Sequence, residues 1–291
     1  MESKTQAALA YFRLQVDRVQ PIAEESYSST VRILHLVGGA KVVLKLPFSR
    51  SKVKREQKVL TLLQGRLPVP QVLDCWLGNE EIPGALLLSC LPGAPLKAPV
   101  TPDHCYTLGE LLAHLHLVKT AGFGDDYEQV SEPTAWRQSF VDYLAEWPAL
   151  CQAIMAPPLF ARTIAKYQEL LTLLPPPDGP CLIHMDYRPG NILMVEGVIT
   201  GLIDFESARG GSAERDFCKI KDELWDNEPA TRQPFLDGYQ SVRPLPDLAT
   251  ALPLCELQNA LASLAWCLRR HTTSGPFFEH NLAVIKRMTA E

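Results

Sequence analysis

Apolar and polar residues alternate along the first ninety positions with the period of strands, and the later chain alternates with the period of helices. An amphipathic helix opens the chain. "TVRILHLV" and "KVVLKL" then flank Gly38-Gly39, two residues free to take positive φ, so these segments predict a hairpin. "SKVKREQKVLTLL" follows as a helix with Val53, Val59, Leu60 and Leu63 on one face, and "QVLDCWLG" and "ALLLSC" read as two further strands separated by "NEEIPG". After "LPGAPL" the period changes. Thr101 caps a helix with Pro102 at its first position, and Leu108, Leu111, Leu112, Leu115 and Val118 supply its buried stripe. Trp136, Phe140, Tyr143, Leu144 and Trp147 mark a second helix, and Phe160, Ile164, Tyr167, Leu171 and Leu174 a third, which "PPPDGP" stops. "CLI" and "ILMVEGVITGLIDFE" return to strands, the latter as two joined at Glu196-Gly197. Beyond residue 210 helices resume, most clearly at Leu254, Leu257, Leu261, Leu264 and Leu268. There is no internal repeat. The pattern predicts a small sheet-rich lobe over residues 1–91, a hinge near Ser89 to Leu91, and a larger helical lobe over 92–291.

Composition narrows the function classes. A chain of 291 residues suits one large domain or two unequal lobes. Its net charge of -5, with acids and bases interspersed, offers no basic stripe for phosphate neutralisation, which argues against nucleic acid as a partner. No stretch approaches the roughly 20 apolar residues that span a bilayer, and the opening segment lacks the apolar core of a signal peptide. No membrane partner and a cytoplasmic location are therefore expected. Eight cysteines are scattered without a CxxC pair, mostly in apolar segments, as reduced and buried thiols would be.

The candidate chemistry lies in "HMDYRPGN", residues 184–191. Pro189 and Gly190 forbid a continuous helix, so Asp186 and Asn191 can point into one space. A second acid, Asp204, ends the next apolar strand, and polar groups at the ends of buried strands are costly unless paired or bound to charge. An Asp and an Asn five apart on a loop, with another Asp after the next strand, suit phosphoryl transfer. One acid orients the attacking hydroxyl while the amide and the second acid hold Mg²⁺ against a triphosphate. His184 is expected to brace the loop, since a carboxylate is already available for proton transfer.

"LIHMDYRPGNILM" and "GLIDFESARGG" resemble the signatures of the aminoglycoside phosphotransferase and choline kinase family, small-molecule kinases with the protein-kinase fold. The resemblance implies an α+β, bilobal architecture with a small antiparallel-sheet N-terminal lobe and a larger helical C-terminal lobe. It also implies ATP-dependent transfer of the γ-phosphate to a hydroxyl of a small molecule, such as an aminoglycoside-like antibiotic or an amino alcohol. By the same resemblance Asp186 is the catalytic base, and Asn191 and Asp204 are the metal ligands. Lys45 would be the nucleotide lysine, Glu56 its partner on the following helix, and the backbone of Ser89, Cys90 and Leu91 the hinge that holds the base of ATP. The stretch "AEESYSSTVRI" has no glycine to cover the phosphates, so Ser28 and Ser29 are expected there instead.

Two other readings are weaker. A catalytically silent nucleotide-binding scaffold is disfavoured because Lys45, Asp186, Asn191 and Asp204 are all present. A protein kinase is disfavoured because D-F-G, A-P-E and an activation segment are missing. The acceptor side has one further signal. From Asp204 to Glu228 there are eight acids against four bases. Asp216, Asp222 and Asp226 are the candidates there, with Asp222 and Asp226 four apart in an expected helix where like charges repel unless a cation intervenes. A cationic, amine-bearing acceptor is the expectation that follows.

Overall fold

A computed structural model describes residues 2–22, 29–97, 99–125, 128–130, 132 and 135–290. In chain order its elements begin with α1 (Glu2–Tyr11), β1 (Val16–Pro21), β2 (Ser29–Leu36), β3 (Lys41–Pro47), α2 (Arg50–Leu63), β4 (Val72–Trp76), β5 (Ala85–Ser89) and β6 (Ala94–Pro95). Then come α3 (Pro102–His116), α4 (Ala135–Cys151), α5 (Pro157–Leu173), β7 (Cys181–Ile183), β8 (Ile192–Val195), β9 (Val198–Leu202) and β10 (Arg209–Gly211). The chain closes with α6 (Phe217–Ile220), α7 (Arg232–Val242), α8 (Leu248–Arg269) and α9 (Pro276–Met288). The α+β class, with an antiparallel sheet followed by a mainly helical region, is the one expected from the residue pattern. Two compact units are interleaved along the chain: Met1–Leu115 with His184–Ala208 and Glu223–Val242, and His116–Ile183 with Arg209–Asp222 and Arg243–Glu291.

The first unit is built on a five-stranded sheet of order β1-β2-β3-β5-β4, antiparallel throughout. Gly38 and Gly39 take φ of 107° and 91°, which closes the β2–β3 turn at no steric cost. Side chains alternate across a pleated strand, and β3 uses both faces. Val42, Leu44 and Leu46 join Leu34, Ala85 and Leu87 in a core that includes Ala8 of α1. Lys45 points the other way, toward α2, whose Val53, Val59, Leu60 and Leu63 are buried together with Glu56. Ser49 caps α2 by accepting from Lys52 N. Thr101 caps α3 as expected, its Oγ1 accepting from His104 N at 3.2 Å. Helices α3 and α7 cross where each presents a glycine. A Cβ on Gly109 would lie 2.0 Å from Phe235 O, and one on Gly238 would lie 1.9 Å from Tyr106 O.

The second unit packs α4, α5, α8 and α9 around apolar faces and pairs β7 with β10. A buried polar network runs through it. His116 Nε2 donates to Asp216 Oδ2 at 3.2 Å, Arg243 Nη2 holds Asp178 at 2.6 Å and 2.7 Å, and Arg243 Nη1 donates to His116 O at 3.2 Å. Asp216 is 1% exposed, so the acceptor-side role expected for it is corrected: it is a structural partner of His116. Burial lowers the pKa of His116 from its usual 6.5, although Asp216 pulls the other way. As pH falls through 6.5 the unfolded chain takes up a proton at this position while the folded chain still refuses it. Stability from His116 is thus complete above about pH 6.5 and is lost below it. Urea unfolding of the wild type between pH 7.5 and 5 is expected to show a falling midpoint that His116→Gln flattens; equal slopes in the two proteins would remove His116 from this role.

The helix expected through Asp222 and Asp226 is also corrected. After α6 the backbone widens into a single π turn over Lys221–Trp225 and ends, leaving Asp226 exposed in the following turn. Asp222 instead accepts from His280 Nε2 at 2.7 Å within the second unit. All eight cysteines are free, six of them buried. Among the described residues no helix is long and apolar enough to cross a membrane.

Candidate active site

The loop after β7 is held from both sides by its first residue. His184 is fully buried, its Nε2 donates to Ile203 O at 3.0 Å, and its Nδ1 accepts from Asp186 N at 3.3 Å. Those two bonds point the proton of Nε2 at Ile203 O, so the ring is a brace that ties the loop to the segment after β9. Tyr187 anchors the same loop to α3 by donating to Leu108 O at 2.7 Å. Pro189 opens a short 3₁₀ turn that delivers Asn191 toward Asp186. Asn191 Nδ2 donates to both Asp186 O and Asp186 Oδ2 at 2.8 Å, which leaves its Oδ1 as the atom able to meet a cation. Met185 within the loop and Asp204 beyond it take φ of 70° and 71°. Non-glycine residues in the left-handed region cost about 1–3 kcal/mol each and gather at functional sites.

A second cluster lies between β3, α2 and the segment after β9. Lys45 Nζ stands 2.5 Å from Asp204 Oδ1, 2.7 Å from Glu56 Oε2 and 3.5 Å from Glu206 Oε2. Burial by itself would draw the Lys45 pKa down, but Asp204, Glu56 and Glu206 together outweigh it and hold it above the ordinary value. Burial would likewise raise Asp204, and Lys45 reverses that, keeping it ionised below the usual range. Glu56 is the odd group. Burial pushes it up to about 7 despite Lys45, because Asp204 and Glu206 add like charge nearby. Glu56 Oε1 also accepts from Phe205 N at 3.2 Å, so α2 and the Asp204 segment are tied through one carboxylate.

Glu206 belongs to this cluster, although the sequence pattern groups it only with the acidic stretch. Its signal is the second acid of "DFE", two residues after Asp204. Lys52 pairs with Glu206 at 2.6 Å, and Arg55 donates to its backbone oxygen at 2.9 Å. Glu56, Asp204 and Glu206 bring carboxylate oxygens within 4.8 Å of one another, and the buried Glu206 Oε2 accepts no hydrogen bond, its neighbouring cation being Lys45 Nζ at 3.5 Å. An all-oxygen set with an unsatisfied carboxylate oxygen fits a hard cation such as Mg²⁺.

The other sequence candidates separate. Ser89 spends both N–H and Oγ on Gln71 at the end of β5, at 2.9 Å and 2.8 Å. Cys90 and Leu91 follow it, and Leu91 packs over Gly201, where a Cβ would lie 2.4 Å from Leu91 Cδ1. Ser29 is buried at the start of β2, opposite Pro47; Ser28 lies outside the described residues. One further neighbour of Asp186 has no sequence signal: Arg188 Nε donates to Asp186 Oδ2 at 3.2 Å, and Arg188 Nη1 stands 3.6 Å from Glu223 Oε2.

Residues 18–254 match the phosphotransferase enzyme family. The homoserine kinase of Allorhizobium ampelinum is 30% identical over 208 residues, covering 68% of this chain and 61% of that protein. The homoserine kinase of Neisseria meningitidis is 31% identical over 168 residues, covering 55% and 51%. The chain thus matches about three fifths or less of the length of these relatives. Among solved structures, a thermostable mutant of the aminoglycoside phosphotransferase APH(4)-Ia superposes with a TM-score of 0.75 at 17% identity, covering 99% of this chain and 98% of that one. The GDP and kanamycin complex of APH(2")-IIia gives 0.75 at 16% identity with the same coverage. At such identities the likeness concerns the fold.

Proposed function

The chain belongs to the phosphotransferase enzyme family, and from that premise we propose that it transfers the γ-phosphate of ATP to a hydroxyl of a small, amine-bearing molecule. The observation that carries this reading is the double arrangement in one unit: Lys45 clamped by Glu56 and Asp204, and Asp186 clamped by Asn191. The first fits the α- and β-phosphates of a nucleotide, the second an attacking hydroxyl. Homoserine kinases among the relatives and the kanamycin complex among the fold neighbours support an amino alcohol as acceptor.

In this reading the lobe of residues 1–91 takes ATP and the lobe of 92–291 takes the acceptor, in the cytoplasm. Cys90 and Leu91 offer their backbone to the base. Lys45 binds the α- and β-phosphates at the position Glu56 sets. Asp204 with Asn191 and Glu206 would hold Mg²⁺, which when bound neutralises triphosphate charge. Asp186 receives the proton of the acceptor hydroxyl while the new O–P bond forms. The bond from the γ-phosphorus to the bridging oxygen breaks, and ADP leaves.

The test is ADP release by the purified protein with Mg-ATP over a panel of L-homoserine, 3-aminopropan-1-ol, choline, kanamycin, 4-hydroxybutanoate and glucose. Amine-bearing alcohols are expected to exceed glucose and 4-hydroxybutanoate. Nucleotide binding with no turnover on any acceptor would favour a silent scaffold instead.

A further inference from the structure

One group beside Asp186 has no part in the reading above. Arg188 places a guanidinium against the proposed base, with Glu223 as its second carboxylate neighbour at 3.6 Å. That contact is long beside the 2.7 Å of Lys45–Glu56 and the 2.6 Å of Lys52–Glu206 in the same unit. The side chains of Asp186, Arg188 and Glu223 are 30%, 35% and 33% exposed, so a solute can reach all three. The guanidinium lies against Gly190, where a Cβ would stand 3.2 Å from Arg188 Nη1 and 3.4 Å from Cζ.

A guanidinium presents five N–H donors in a planar fork that matches a carboxylate, and a glutamate accepts from an ammonium. An ion pair at 3.6 Å between side chains about a third exposed gains little from that contact, so exchanging it for a ligand's opposite charges is inexpensive. The ligand that carries both charges on one carbon is an α-amino acid. We propose that the acceptor is a small hydroxylated α-amino acid whose carboxylate is held by Arg188 and whose ammonium is held by Glu223, with its side-chain hydroxyl at Asp186. The inference rests on the phosphotransfer reading and narrows it. Because Arg188 touches Asp186 directly, the carboxylate and the reacting hydroxyl of the acceptor must lie only a few bonds apart. A short aliphatic hydroxy amino acid meets that requirement, whereas a multi-ring aminoglycoside has no carboxylate to offer.

The experiment compares kcat/KM for L-homoserine, for 3-aminopropan-1-ol, which lacks the carboxylate, and for 4-hydroxybutanoate, which lacks the amine. Wild type is expected to favour L-homoserine over each analogue by about ten- to a hundredfold, the range of a charge-assisted pair. In Arg188→Met the ratio of L-homoserine to 3-aminopropan-1-ol falls toward one, chiefly through KM. In Glu223→Gln the ratio to 4-hydroxybutanoate falls in the same way. If Arg188→Met instead raises the KM for ATP, or lowers kcat equally on all acceptors, the residue serves the nucleotide or positions Asp186, and the proposal is overturned. Turnover of kanamycin or choline with L-homoserine inert also overturns it while leaving the kinase reading intact. If no acceptor turns over, the kinase reading has failed, and calorimetric titration of L-homoserine into wild type and Arg188→Met decides this one: binding that the variant loses supports it, and absence of binding ends it.

Discussion

Asp186→Asn is expected to lower kcat by about 10² to 10⁴, the usual contribution of a general base, with little change in nucleotide affinity. The substitution keeps the shape of the side chain, and an amide oxygen can still accept from Asn191 Nδ2, which now reaches Asp186 Oδ2 at 2.8 Å. What is lost is the capacity to take a proton from the acceptor. The backbone tie from Asn191 to Asp186 O and the brace through His184 do not depend on the carboxylate, so the loop is expected to stay in place. Steady-state ADP release together with calorimetric titration of ATP checks both halves. A near-normal kcat would remove Asp186 from proton transfer, and a large loss of ATP affinity would move it to the nucleotide side.

Asp204→Ala is expected to be at least as severe and different in kind. A bound Mg²⁺ supplies several kcal/mol of charge stabilisation, and each 1.36 kcal/mol is about tenfold in rate, so a loss of about a thousandfold or more is expected. Lys45 keeps Glu56 at 2.7 Å, which spares the fold from a stranded buried ammonium. ATP titration with and without Mg²⁺ gives a readout independent of turnover: the wild type should bind ATP more tightly with the metal, and the variant should lose that difference. An undiminished metal effect would shift the ligand role to Glu206 and Glu56, whose carboxylates share the cluster.

Much of the local structure follows from residue order. The period-2 run into Lys45, the Gly38-Gly39 turn, the Thr101-Pro102 helix start and the Glu196-Gly197 connection are local choices, decided by side chains within a few positions, and all appear in the structure. The same locality kept Asp186 and Asn191 legible, because five residues and a Pro-Gly break bring them together without help from the rest of the chain. Long-range pairing was not legible in this way. Lys45 and Asp204 are 159 residues apart, and a lysine at a strand position reads as a solvated residue until the fold removes water and places three carboxylates around it.

The acidic stretch shows the division most clearly. Its composition suggests a cation site, but charge density along the chain does not say which partners the fold will supply. Asp216 is taken by His116, 100 residues earlier, and Asp222 by His280, 58 residues later. Glu206 joins Glu56 and Asp204 around Lys45, and Glu223 faces Arg188. The sequence by itself determined the elements, the turn chemistry and the meeting of Asp186 with Asn191, since these depend on backbone preference and on the period of burial. Only the tertiary structure decided which charges are spent on each other, because electrostatic pairing depends on distance and desolvation in space, and neither is a property of neighbours in sequence.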